Sequence, residues 1–163
     1  MNNDLTLKEV SFNKIVQWLY DYGFQTEVLI NNKDSDAEKQ YEAKVYPPGI
    51  ANMFFFITFG NKFADSFSIS ASTYLNEDYQ KSIRALEEKD QKQIYIDLRK
   101  LILPLNINCD TRFPTVFLHK LIFIDSLKEK QFFFDSVFSL LNAMQLVSSR
   151  FDEVYYSFYP TGN

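Results

Sequence analysis

Only two side chains in this 163-residue sequence carry soft nucleophilic or metal-binding chemistry, Cys109 and His119, the single cysteine and the single histidine. A structural zinc site needs three or four such ligands, so no metal centre is expected. Cys109 shares the apolar parity of Leu105 and Ile107, which predicts a buried, inert thiol. His119 lies between Leu118 and Lys120 in an apolar stretch and reads as a core or edge histidine rather than a base. Serine hydrolysis wants a nucleophile on a glycine-flanked elbow. The four glycines, Gly23, Gly49, Gly60 and Gly162, form no such elbow, no phosphate cradle and no dinucleotide fingerprint. Acid–base work needs two carboxylates in different environments. The pairs Asp34/Asp36, Glu87/Glu88 and Asp152/Glu153 fall in a polar loop or at helix ends, where solvated charge is the default. Asp97 and Arg99 stand in an otherwise apolar helical stretch and do not face each other, so each is expected to bond a different neighbour. No catalytic residue, metal or cofactor is therefore assigned, and the chain reads as not an enzyme. The alternative is a small-molecule-binding domain or enzyme with a cleft between sheet and helices, whose polar groups would be His119, Asp97, Arg99 and Arg112.

Charge and composition narrow the partners. Lys plus Arg is 17 against 21 Asp plus Glu, with a pI near 5.0. Neither half forms a basic arm, so the counterion release that drives nucleic-acid binding has no source. No apolar run approaches the ~20 residues that span a bilayer; the richest, Val116 to Ile124, contains His119 and Lys120. The opening Met1-Asn2-Asn3-Asp4 is polar and acidic, unlike a signal peptide. One cysteine permits no intramolecular disulfide. The expectation is a cytoplasmic protein that binds neither membrane nor nucleic acid. Hydrophobic residues at 46% and aromatics at 17% suffice for one sizeable core over residues 1–163.

These residues must be positioned by elements whose periods are readable. Phe12, Ile15, Val16 and Leu19 recur at helical spacing, with Ser11 a candidate cap and Gly23 a stop, predicting a helix over 8–22. The period then becomes two. Strands are predicted over Phe24–Ile30, Gln40–Val45, Asn52–Phe59 and Phe63–Tyr74, with Pro47-Pro48-Gly49 ending the second. In the last of these, Phe63, Phe67, Ile69 and Ala71 oppose Ser66, Ser68, Ser70 and Ser72. The helical period returns from Asn76 through Tyr79, Ile83 and Leu86, and restarts at Asp90 to end before Pro104. Alternation over 105–112 and the run Val116–Ile124 predict two more strands. Ser126-Leu127-Lys128-Glu129 has capping-box spacing and opens a long helix reaching about Val154. The fold class is α+β: a mostly antiparallel sheet of about five to six strands with N-terminal, middle and long C-terminal helices.

The closing helix carries the sharpest functional signal. Phe134, Val137, Phe138, Leu141, Met144 and Phe151 make one stripe, and Phe133, Leu140, Ala143, Val147 and Val154 a second. One stripe packs a helix on a sheet. A second implies burial on both sides, by the rest of the chain, another subunit or a client peptide. The candidate partner-binding surface is Phe133, Phe134, Phe138, Leu141 and Met144 with Phe54 and Phe56 of the third strand. Phe138→Asp is then expected to change oligomeric state or partner capture without unfolding the protein.

Helix, strands, middle helices, two strands and closing helix, in that order, resemble the type III secretion chaperone-like fold. Three segments look like a small archaeal family of uncharacterised proteins: Ile15-Val16-Gln17-Trp18-Leu19 ending in Gly23-Phe24, Tyr79 to Leu103 with Asp97-Leu98-Arg99, and Val116 through the closing helix. The resemblance implies a protein that dimerises and binds segments of other proteins along apolar grooves. The reading is a non-enzymatic protein-binding module of chaperone or adaptor type, a homodimer that takes a protein partner or client peptide.

Overall fold

A computed structural model describes residues 6–32, 34, 37–61 and 65–159. Met1-Asn2-Asn3-Asp4, Asp36, Phe63 and Gly162, on which parts of the sequence reading rest, lie outside the described residues. The first helix, α1 (Leu7–Asp21), leads into strands β1 (Gln25–Asn31), β2 (Lys39–Tyr46), β3 (Phe55–Gly60) and β4 (Ser66–Tyr74). Helices α2 (Glu77–Arg84) and α3 (Glu88–Ile102) follow, then β5 (Asn108–Arg112), β6 (Thr115–Phe123) and the 29-residue α4 (Lys130–Phe158). The strands form one six-stranded sheet in the order β1-β2-β3-β4-β6-β5. This is the expected α+β architecture, with the long closing helix in place. The chain divides into two compact units, residues 1–70 with 120–137 and residues 71–119 with 138–163.

In the first unit α1 presents Phe12, Ile15 and Leu19, all buried, at the 3.6-residue period that puts them on one face. Phe12 stacks on Tyr41 at 5.4 Å and meets Phe59 edge-on at 5.9 Å. Tyr41, Ala43, Val45, Phe55, Ile57, Phe59, Phe67 and Ile69 share the buried side of β2, β3 and β4, because successive strand residues point to opposite faces. Registers such as Ala43↔Ile57 and Ile57↔Ile69 bring that side into line. The alternation read from Phe67, Ile69 and Ala71 is thus the burial alternation of β4. Its serine row is uneven: Ser66 is buried, Ser68 and Ser70 are half-buried, and Ser72 is exposed.

The α1 stop is built as expected. Gly23 takes φ +91°, its N–H reaches the Tyr20 carbonyl at 3.0 Å, and the Phe24 N–H reaches Leu19 at 2.9 Å. These two bonds satisfy the last carbonyls in a Schellman closure, with Phe24 packing back over the final turn. A Cβ at Gly23 meets nothing within 4 Å, so substitution there isolates the backbone cost. Gly23→Ala is expected to lower stability by about 1–2 kcal/mol, read as a shift in urea midpoint at unchanged slope, and Gly23→Asn by less.

Element starts moved. The cap of α1 is Thr6, whose Oγ1 accepts from the Glu9 N–H at 3.2 Å, while Ser11 is buried inside the helix. The capping box at Ser126–Glu129 does not form. Ile124 and Leu127 are buried in a 3₁₀ turn over Ile124–Lys128, Glu129 is extended, and α4 starts at Lys130. The third strand begins at Phe55 rather than Asn52, because Gly49 and Asn52 turn left-handed. The fifth begins at Asn108, because Leu103–Leu105 is a 3₁₀ turn closed by Asn106 at φ 54°.

In the second unit Ile83 of α2, Ile94, Leu98 and Ile102 of α3, and Val116 and Leu118 of β6 are buried. β5 and β6 are an antiparallel hairpin with Cys109 opposite Leu118 and Asn108 opposite His119. From α4 this unit buries Leu140, Leu141, Ala143, Met144, Val147 and Phe151.

Candidate functional site

The seven residues expected to share a partner-binding surface are not brought together as one. Phe133 and Phe134 are core: Phe133 is fully buried against Trp18 (6.1 Å) and Phe67 (6.4 Å), and Phe134 stacks on Tyr22 at 4.5 Å. Leu141 and Met144 are also buried. The reason is the width of the buried face: the two stripes read from the sequence merge into one broad side of α4, leaving out Phe138, which is 36% exposed. Phe54 and Phe56 have the opposite parity to buried Phe55 and Ile57 and so stand on the other side of the sheet. There they meet edge-to-face at 5.6 Å, and the Lys44 ammonium sits 4.0 Å over Phe54 and 5.0 Å over Tyr46. That cation–π stack satisfies the lysine and covers both rings in part.

The polar groups of the cleft alternative are likewise held apart. Asp97 pairs with Arg150 of α4 at 3.2 Å, and Arg99 donates to Thr111 Oγ1 at 3.1 Å, so the two do bond different neighbours. Arg112 pairs with Asp110 at 3.1 Å. His119 stacks on Phe117 at 5.4 Å with its Nδ1 buried and unpartnered. Cys109 is half-buried rather than buried, and burial pushes its thiol pKa up against a smaller downward pull from Arg99. The thiol is therefore held in its unreactive form at neutral pH. Among the described residues no three His, Cys, Asp or Glu side chains group to hold a metal ion, and no helix is long and apolar enough to cross a membrane.

The strongest constellation lies in the second unit, at the C-terminal turns of α4. Asn76 caps α2 by accepting from the Tyr79 N–H at 3.0 Å, which fixes Tyr79 in the first turn. The Tyr79 hydroxyl donates to the Asp152 carboxylate, and its ring stacks on Tyr155 at 5.1 Å. Tyr155 in turn meets Tyr156 at 5.3 Å and Tyr159 at 5.0 Å. Ser148, Asp152 and Tyr155 follow one another at i, i+4 and i+7 on α4, and Tyr159, the residue just past its end, continues the strip at i+11 through its N–H bond to the Tyr155 carbonyl at 3.1 Å. At the head of that strip is a cleft of about 180 Å³ lined by Thr73, Tyr74, Leu75, Asn76, Tyr79, Ser148 and Phe151. Much of the patch is open to solvent: Tyr74 is 70% exposed, Tyr156 48% and Tyr159 53%.

The carboxylate leaves a titration signature. Its hydrogen bond, then burial, push the Tyr79 pKa from 10.0 up to about 12. The folded state therefore holds this proton more tightly than the unfolded state does. The resulting stability is fully present below about pH 10 and is lost as pH rises towards 12. In an absorbance titration at 295 nm, Tyr79→Phe is expected to remove a step near pH 12 and leave the lower steps in place. Loss of a step near pH 10 instead would contradict the pairing.

The tyrosine cluster was not legible in advance. Its one local signal was the density of aromatic residues just past the apolar stripe, over Tyr155, Tyr156, Phe158 and Tyr159. Tyr79 joins it only through a contact spanning 73 residues.

A crystal structure of an uncharacterised protein from Methanothermobacter thermautotrophicus is similar to this chain, with a TM-score of 0.74 at 20% identity. The match covers 89% of this chain and 99% of that one, and it shows the shared fold. No curated protein matches the sequence. The model of the family described as uncharacterised conserved protein DUF2299 matches residues 12–151, and the chain belongs to that family.

Proposed function

We propose that the chain is a non-enzymatic protein-binding module of chaperone or adaptor type, and that its partner docks on the tyrosine-rich end of α4. The observation that carries this reading is the contiguous ring cluster beside a cleft, in which half-buried Tyr79 and Tyr155 stack and support the exposed rings of Tyr156 and Tyr159. Tyrosine offers large contact area, a polar tip and few rotatable bonds, which is why it concentrates at recognition surfaces. The relation to secretion chaperones and the homodimer rest on the order of elements.

The test is capture of partners from native cells by tagged wild-type protein, by a Tyr156→Ala/Tyr159→Ala variant and by Phe138→Asp, with each partner then tagged for reciprocal capture. A partner captured reciprocally, lost with the tyrosine pair and kept by Phe138→Asp is the expected result. A partner kept by the tyrosine pair contradicts the surface.

A further inference from the structure

Resting on that reading, we infer that the α4 strip takes an extended, proline-containing peptide segment with a basic flank. Three features of the second unit lead there. The first is shape. Ser148 to Tyr159 spans eleven residues, about 16 Å at the helical rise, which matches about five residues of polyproline II at ~3.1 Å each. Tyr79 and Tyr155 stack on each other at 26° and Tyr159 lies at 34° to Tyr155, so the rings that present open faces are the exposed Tyr156 and Tyr159. Pyrrolidine rings and aliphatic side chains lie well on such faces.

The second is hydrogen bonding. A polyproline II segment has no internal hydrogen bonds, so its carbonyls seek donors. The strip supplies them from the hydroxyls of Tyr155, Tyr159 and Ser148 and from the Asn76 side-chain amide, whose oxygen is already used by the Tyr79 N–H; the Tyr79 hydroxyl is already given to Asp152. A helix brings carbonyls already satisfied and has less use for this row.

The third is charge. Four carboxylates, Glu77, Asp78, Asp152 and Glu153, stand on or beside the strip against two cations, Lys81 and Arg150; Lys81 pairs with Asp78 and Arg150 is shared by Glu153 and Asp97, which leaves the rim net acidic. A basic residue flanking the prolines meets this rim with complementary charge.

The probe is a synthetic ten-residue peptide with two prolines three positions apart and one terminal arginine, titrated by calorimetry into the full chain. Saturable binding is expected, weakened about tenfold or more when the prolines become alanine, or when Tyr155→Ala or Tyr159→Ala is introduced. Replacing the arginine by glutamate is expected to weaken binding several-fold and flatten its salt dependence. Circular dichroism of each variant separates lost binding from lost fold, and Tyr159→Ala, at an exposed position, keeps the test open if Tyr155→Ala unfolds. Equal binding of the alanine peptide, indifference to Tyr159→Ala, absence of saturation, or self-association through the strip overturns the inference. If the peptide fails while a partner is still captured through Tyr156 and Tyr159, the proline claim falls alone and the protein-binding reading stands.

Discussion

Phe133→Ala is expected to cost about 3–5 kcal/mol, the range for emptying a fully buried aromatic site. In a chain of this length that is a fall of about 6–20 °C in Tm. Phe133 has no exposed area and touches Trp18, Phe67 and Phe134, which come from α1, β4 and its own helix. None of these three can close the void without leaving its other contacts. Phe138→Asp, one turn and a half further on, is expected to cost about 1 kcal/mol, as at ordinary part-exposed positions. Urea unfolding of the two variants side by side measures the contrast. Equal costs would mean that the burial of α4 is not as described.

That contrast also shows where sequence reasoning stopped. Spacing identifies which residues of α4 are apolar, but the width of the buried face depends on what covers it, and the covering side chains come from elsewhere in the chain. Trp18 and Tyr22 lie more than a hundred residues before Phe133 and Phe134, yet they bury them. The strands were more legible, because one buried and one open face write a period of two directly into Phe67, Ile69 and Ala71 against the serines. Helix starts were less so. Ser126 and Glu129 have the spacing of a capping box, but burying Ile124 and Leu127 drew that segment into a 3₁₀ turn first.

Within the site the limit was contact distance along the chain. Asp97 and Arg99 were rightly expected to bond different neighbours, since helix geometry alone separates adjacent positions. The pairing of Tyr79 with Asp152 has no local mark. Asp152/Glu153 looked like solvated charge, and only Glu153, with its exposed side chain beside Arg150, fits that description.

The second large effect concerns the tyrosine pair. Tyr156→Ala/Tyr159→Ala is expected to lower partner affinity by about a hundredfold, roughly a tenfold loss for each aromatic anchor. Stability should change by no more than about 1 kcal/mol, because both side chains are about half exposed. Phe138, ten residues and about 15 Å before Ser148 along the helix, lies outside the strip, so Phe138→Asp should bind normally. Affinity measured against the captured partner by calorimetry, with unfolding curves for the same proteins, reads both quantities. A variant that loses binding only in proportion to lost fold would remove the tyrosines from recognition.

The location of the docking surface is tested most directly by photo-crosslinking in living cells, with benzoylphenylalanine in place of Tyr156 in one strain and of Tyr20 in another. Both positions are open, 48% and 73% exposed, so reagent access does not decide the outcome. A discrete covalent adduct with another protein is expected from position 156 and none from position 20. An adduct from position 20, with position 156 silent, would contradict that location.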